Sequence, residues 1–261
     1  AGFNGARLHE KVFEERTLYH ADRMGYMVWG EFGDWGYDSS RPPINMVSQW
    51  LEVIGRDFNH PSIVGWCGLN EAAAEIEDEI DGLEDLIRAM FLAAKTADPT
   101  RPVLDASGYS HRMHETDVWD SHEYDFDGDP AKWAALFDGL CPDSVYTNIP
   151  VWMKRPVSVA YSGQPYFLSE FGGTWWDPRD TGEGPSWGYG NRPNTVEEFY
   201  EQFAFYCDTL LDNPAMFGYC YTQLTDTYPE QNGVVYQDRT AKCDLARLRA
   251  IQVRPAAYEQ Q

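Results

Sequence analysis

The 261 residues include 43% hydrophobic and 15% aromatic side chains, enough to fill a sizeable core and inconsistent with a disordered chain. The 42 acidic residues outnumber 20 basic ones, and the formal charge of −22 repels phosphate backbones, which argues against a nucleic-acid partner. No run of about 18 apolar residues occurs, so no helix is expected to cross a membrane.

In chain order, the first strand is predicted near residues 3–8. VFEERTLYHADRMG follows with apolar residues at helical spacing and closes on Gly25, a helix stop. A second strand near residues 26–30 runs into Glu31. INMVSQWLEVIGRDFNHP reads as a second amphipathic helix, ended by Asn59, His60 and Pro61. The third strand, near residues 63–69, is apolar throughout and delivers Asn70 and Glu71 side by side. IEDEIDGLEDLIRAMFLAAKTADPTRP is a third helix, acidic at its start as the helix dipole favours. Strands follow near residues 102–106, 118–122 and 166–169. NTVEEFYEQFAFYCDTLLDNP, capped by Asn194 or Thr195, precedes a last strand at residues 216–222. Two loops, GTWWDPRDTGEGPSWGYGNRPN and TDTYPEQNG, are long, aromatic and rich in Gly and Pro, which suits functional loops on a scaffold.

Apolar strands alternating with helices predict a parallel sheet covered by helices, either an open doubly wound sheet or a (β/α)8 TIM barrel. No glycine-rich phosphate loop follows a strand, which disfavours dinucleotide binding, and the length suits the roughly 250 residues of a barrel. Polar residues fall at strand ends: Arg7 and His9, Glu31, Asn70 and Glu71, Asp105, His122 and Tyr124, Glu170, Gln223 and Asp226. A barrel gathers such ends on one face, where its chemistry sits. Seven strands are counted, one short of closure. The expectation is therefore one barrel domain over residues 1–261, lacking its first strand at the N-terminus and cut from a longer protein.

Five cysteines form no CxxC pair, and two of them, Cys67 and Cys220, lie in apolar strand-like runs. Neither a disulfide framework nor a zinc knuckle is expected, with a lean towards a reducing, cytoplasmic compartment. The start, AGFNGARLHE, has no signal-peptide pattern, and localisation is not read from it.

The strand-end carboxylates Glu71 and Glu170 are 99 residues apart (170 − 71), about three βα units. In a barrel they would face each other across the mouth. Glycosidic cleavage uses such a pair, one carboxyl donating a proton to the leaving oxygen while the other attacks the anomeric carbon or activates water. In a retaining enzyme the two stand about 5–5.5 Å apart. An amide such as Asn70 beside the acid can hold a sugar hydroxyl. Trp175, Trp176, Trp187 and Tyr189 after Glu170, and Trp35 and Tyr37 after Glu31, offer rings on which sugar CH faces stack. Each of these residues has an ordinary reading too: a helix-start acid for Glu71, an ion pair for Glu170 or Arg7, a loop-pinning ring for each Trp. His9 and His122 could touch substrate or be satisfied strand-end histidines. His111 and His114, in HRMH, lack an HExxH pattern and read as loop histidines.

The stretch RDFNHPSIVGWCGLNE resembles the fourth-strand signature of glycoside hydrolase family 2. GFNGARLHEKVFEERTLYHADRMGYMVWGE is similar to that family's second strand, helix and third strand, and YFLSEFGG to its seventh-strand nucleophile segment. FGYCYTQLTDTYPEQNGVVYQDR resembles the eighth strand of its β-galactosidase-like members. The resemblance covers essentially the whole chain. It implies a retaining exo-β-glycosidase with Glu71 as general acid/base and Glu170 as nucleophile, and it makes β-galactosidase the first expectation, with β-glucuronidase or β-mannosidase as alternatives. It further implies that Asn70 holds the 2-hydroxyl, that Arg7 supports the nucleophile and that Tyr124 hydrogen-bonds it. His9, Glu31, His122, Trp175, Trp176 and Gln223 complete the expected substrate-binding set. Neither a cofactor nor a metal is expected. The expected partners are a carbohydrate substrate and β-sandwich domains in the parent chain, with a second copy of the protein as a further option. The family's β-galactosidases commonly carry an eighth-strand Trp where this chain has Tyr221 and Gln223. Two other classes stand beside the enzyme: a non-catalytic or truncated sugar-binding barrel, and a metal-dependent hydrolase built on His9, Glu10, His111, His114 and His122.

Overall fold

A computed structural model describes residues 1–33, 45–72, 83–108, 111–124, 127–139, 158–180 and 184–260. The chain divides into two compact units, one of Asn4–Ser121 with Pro142–Tyr166, the other of Ala1–Phe3, His122–Cys141 and Phe167–Gln261.

In the first unit, strands β1 (Gly5–Arg7), β2 (Met27–Glu31), β3 (Ile63–Cys67) and β4 (Val103–Leu104) form a sheet in chain order. Every pair is parallel, with Arg7 opposite Trp29, Glu31 opposite Cys67 and Cys67 opposite Leu104. Parallel neighbours need crossovers, which α1 (Glu15–Met24), α2 (Met46–Asp57) and α3 (Leu83–Ala97) supply. Gly25 closes α1 in the left-handed conformation, φ 67°, as its position in the sequence predicts. The core between helices and sheet is built on Leu18, Trp50, Ile54, Trp66, Leu69 and Met90. Trp50 meets Trp66 edge-on at 5.7 Å. The Trp66 indole N–H donates to Asp98, which also accepts from Arg101, and Arg101 reaches the carbonyls of His60 and Ile63. The TADPTRP turn after α3 is thus tied to the start of β3.

The second sheet follows the order β5 (Trp119–Glu123), β6 (Tyr166–Gly172) and β7 (Met216–Thr222). In the second unit, α5 (Val196–Leu211) opens on Thr195, whose hydroxyl accepts from Glu198 N–H. Its buried rings pack on the strands: Tyr206 lies 5.9 Å from Phe171 and Phe203 5.3 Å from Tyr221.

Seven strands and four helices lie where the sequence predicts them, and β4 is shorter than expected. It stops at Leu104 because Asp105 N–H donates to the Thr116 hydroxyl instead of continuing the ladder. Helices α4 (Pro130–Ala135) and α6 (Leu245–Gln252) were not predicted. Each is announced by a short signal, an aspartate N-cap at Asp129 or Asp244 accepting from backbone N–H groups of the first turn. Trp35, Tyr37, Cys141 and the predicted helix start at residues 76–82 lie outside the described residues. The other four cysteines are free thiols. Among the described residues, no helix is long and apolar enough to cross a membrane.

Candidate active site

In the first unit, strand ends bring Arg7, Glu31, Asn70 and Glu10 together. Arg7 ends β1 opposite Trp29 and Glu31 ends β2 two residues further on, so parallel pairing brings the two strand ends close. The Arg7 guanidinium is buried and bonds both Glu31 oxygens and Asn70 Oδ1, the last at 2.5 Å. Asn70 Nδ2 donates to Glu10 Oε1 at 3.0 Å, and Glu10 N–H donates to Glu31 Oε2 at 2.9 Å. The Asn70 amide is therefore held from both ends. Burial, with the Glu31 carboxylate nearby, raises the Glu10 pKa against the opposing effects of His9, Asn70 and Arg7. Glu10 was not among the expected substrate contacts, and only the adjacent Arg-Leu-His-Glu run hinted at it. His9 is half exposed, its ring nitrogens 3.8 Å from Glu10 and 3.9 Å from Glu31.

Glu71 stands one residue past an isolated parallel bridge between Asn70 and Ser107. Ser107 N–H donates to Leu69 C=O at 2.8 Å and Glu71 N–H donates to Ser107 C=O at 2.9 Å. Between these clamps Glu71 takes φ 46°, a left-handed conformation. For a residue with a Cβ this costs about 1–2 kcal/mol and persists only where the surroundings over-determine it. Behind Ser107 lies a buried cluster. The Ser107 hydroxyl donates to Asp120 Oδ2 at 2.7 Å. Asp120 faces His111 Nε2 at 3.1 Å, and His111 Nδ1 lies 2.8 Å from Asp105. Burial alone would depress the imidazole pKa, but Asp105 and Asp120 outweigh it and raise the value to about 10. His111, in the loop between β4 and β5 as expected, is thus a buried imidazole held between two aspartates that raise its pKa. The sequence did not reveal this pairing, because the three residues lie on different segments. His114, the other histidine of HRMH, is exposed.

In the second unit, every residue of β6 is buried, and Glu170 points to one hydroxyl and one imidazole. Tyr124 Oη donates to Glu170 Oε2 at 2.5 Å and lies 3.0 Å from the Thr222 hydroxyl. His122 Nδ1 is 3.5 Å from the same carboxylate oxygen. Burial and the Glu170 charge push the Tyr124 pKa well above its ordinary value, so the phenol stays protonated and donates. The two glycines after Glu170 are required by space and backbone: a Cβ at Gly172, φ 78°, would come within 2.5 Å of the Tyr221 ring, and one at Gly173, φ 55°, equally close to Tyr189. Tyr189 stacks on Tyr124 at 4.0 Å, and Trp187, 40% exposed, meets Tyr189 edge-on. Thr222 and the stacking role of Tyr189 were not foreseen.

The loop tryptophans separate. Trp175 is half-buried, donates its indole N–H to Ser186 and has the Arg192 guanidinium 4.1 Å over its ring. Trp176 is buried and stacked on Phe199, so the expectation of a ring presented to sugar is corrected: its face is spent on the core of α5. Its carbonyl accepts from Lys242 Nζ, which also pairs with Asp226 at 2.6 Å. Asp226 is thereby a loop anchor. Gln223 begins a polar relay, Nε2 donating to Asn232 Oδ1 and Asn232 Nδ2 to Glu230 Oε1, each at 2.8 Å.

The family described as glycosyl hydrolases family 2, TIM barrel domain, matches residues 20–176. A β-glucuronidase from Bacteroides fragilis is 24% identical over 171 residues, 61% of this chain and 24% of that protein. Among solved structures, the Bifidobacterium dentium β-glucuronidase complexed with coumarin-3-O-glucuronide superposes with a TM-score of 0.71 at 19% identity, covering 98% of this chain and 42% of that one. A β-galacturonidase of the same family from Eisenbergiella tayi, bound to galacturonate, gives 0.67 at 17% identity, with 95% and 44% covered. The chain spans about a quarter or less of the length of the curated relatives it matches. The fold is that of the (β/α)8 TIM barrel.

Proposed function

The chain belongs to glycosyl hydrolase family 2 through its TIM barrel domain, and on that premise we propose that it is the catalytic domain of a retaining exo-β-glycosidase. Glu170 is the nucleophile. Its carboxylate attacks the anomeric carbon while the Glu71 carboxyl gives its proton to the departing glycosidic oxygen. Water, deprotonated by the Glu71 carboxylate, then attacks the glycosyl ester and releases Glu170. The reading rests chiefly on the hydrogen bond from Tyr124 to Glu170, which holds one carboxylate oxygen and keeps the group aimed. The amide of Asn70 is fixed by Arg7 and Glu10, which supports the reading that it takes the 2-hydroxyl. His9, Glu31, His122, Trp175 and Gln223 are the remaining proposed contacts.

The relatives described above are named for uronic acids and lend the expected galactose preference no support. We therefore take a β-hexuronide as the first substrate class. A neutral hexose is the second reading, favoured by the Gln223–Asn232–Glu230 relay, which ends on a carboxylate that would repel another.

The test is turnover of p-nitrophenyl β-glucuronide, β-galacturonide, β-galactoside and β-mannoside. It is joined by labelling with a 2-deoxy-2-fluoro glycoside of the accepted sugar. Hydrolysis with mass added to the Glu170 peptide is the expected result. A folded protein that turns over none of them, or label on another residue, would overturn the assignment and leave a sugar-binding barrel.

A further inference from the structure

We propose that the buried Asp105–His111–Asp120 cluster is a positioning device for the proton donor, acting through Ser107 on the backbone of Glu71. This rests on the reading of Glu71 as acid/base.

The physical chain is continuous and lies within one unit. Glu71 holds a left-handed backbone, φ 46°, that persists only where the surrounding chain is fixed. Ser107 clamps the chain leading into it, donating to Leu69 C=O at 2.8 Å and accepting from Glu71 N–H at 2.9 Å. Beyond β4 the ladder is interrupted, so Ser107 has to be anchored by something other than regular pairing. Asp120 provides the anchor, accepting from the Ser107 hydroxyl at 2.7 Å and from Gly108 N–H at 3.1 Å. Asp120 is fully buried, and a buried carboxylate is costly without a partner of opposite charge. His111 supplies it at 3.1 Å and is itself held by Asp105 at 2.8 Å. Asp105 accepts from Arg112 N–H at 3.0 Å, and the Trp119 ring lies 4.1 Å from the imidazole. Asp105, Ser107, His111 and Asp120 are all fully buried. None of them needs to touch the sugar. Their shared effect is to leave Glu71 one backbone position from which to deliver its proton, and positional errors of this kind weigh heavily on catalysis.

Proton donation matters in proportion to how poor the leaving group is. A phenyl glycoside needs the acid, whereas a 2,4-dinitrophenyl glycoside departs without it. The experiment compares kcat/KM on these two substrates, with the sugar accepted in the panel above, for Ser107→Ala, His111→Asn and Glu71→Gln. Ser107→Ala removes one hydroxyl and leaves the buried charges paired, so it decides the matter if His111→Asn fails to fold. The expected result is that Ser107→Ala loses about tenfold more on the phenyl than on the dinitrophenyl substrate, in the same direction as a loss on the order of 100-fold for Glu71→Gln. Equal losses on both substrates for Ser107→Ala, with the leaving-group dependence intact in Glu71→Gln, would overturn this inference alone. Equal losses for Glu71→Gln would instead remove the acid/base reading beneath it.

Discussion

The Tyr124 hydroxyl lies 2.5 Å from Oε2 of Glu170 and donates its proton there, while its ring is clamped by Tyr189 stacked at 4.0 Å. Tyr124→Phe keeps the stack and removes the donor. A hydrogen bond to a charged group contributes about 1.5–3 kcal/mol, so kcat/KM should fall by about 10- to 100-fold. An unchanged kcat/KM would remove Tyr124 from the nucleophile's support.

Arg7 bonds Glu31 and Asn70 at once through its planar guanidinium. Lysine offers a point charge without that fork. Arg7→Lys should therefore free the Asn70 amide and lower kcat/KM by about tenfold or more through the loss of one or more charged hydrogen bonds. A substrate lacking the 2-hydroxyl should feel the substitution less. Equal losses on both substrates would show that Asn70 does not hold that hydroxyl.

His111 makes stability depend on pH. Its pKa in the fold, about 10, exceeds the ordinary 6.5, so the folded state binds a proton the unfolded state gives up. The stabilisation is fully present below about pH 6.5 and is lost as pH rises towards 10, by a few kcal/mol in all. Denaturation midpoints measured from pH 6 to pH 10 should fall, and His111→Asn should flatten that slope. A wild-type midpoint independent of pH over this range would contradict a buried imidazolium held between Asp105 and Asp120.

Gly173 takes φ 55° where a Cβ would stand 2.5 Å from the Tyr189 ring. Gly173→Ala should displace Tyr189 and through it Tyr124, costing about 2 kcal/mol of stability from strain and overpacking together. Activity should drop even at temperatures where the variant is fully folded. Circular dichroism melts beside kcat separate the two effects.

Trp176 is stacked on Phe199 in the core of the second unit. Trp176→Ala should cost about 3–5 kcal/mol of stability while leaving KM of the folded fraction unchanged. A rise in KM without destabilisation would return Trp176 to the substrate.

The sequence by itself determined the order and kind of the elements. Short apolar runs such as IVGWC between turn signals read as buried strands, and amphipathic stretches ending in Gly25 or beginning at Thr195 read as bounded helices, because these signals act within a few residues. It also placed the polar residues at strand ends, which is why Arg7, Glu31, Asn70, Tyr124 and Glu170 could be named in advance. What only the tertiary structure decided is which partner each of them has. Nothing local in HRMH tells that His111 sits as a cation between Asp105 and Asp120, or that Ser107 ties this cluster to Glu71. Nor do adjacent tryptophans reveal that Trp176 faces the core while Trp175 carries Arg192. Protonation, strain and ring exposure depend on neighbours from distant segments, and folding alone brings those within reach.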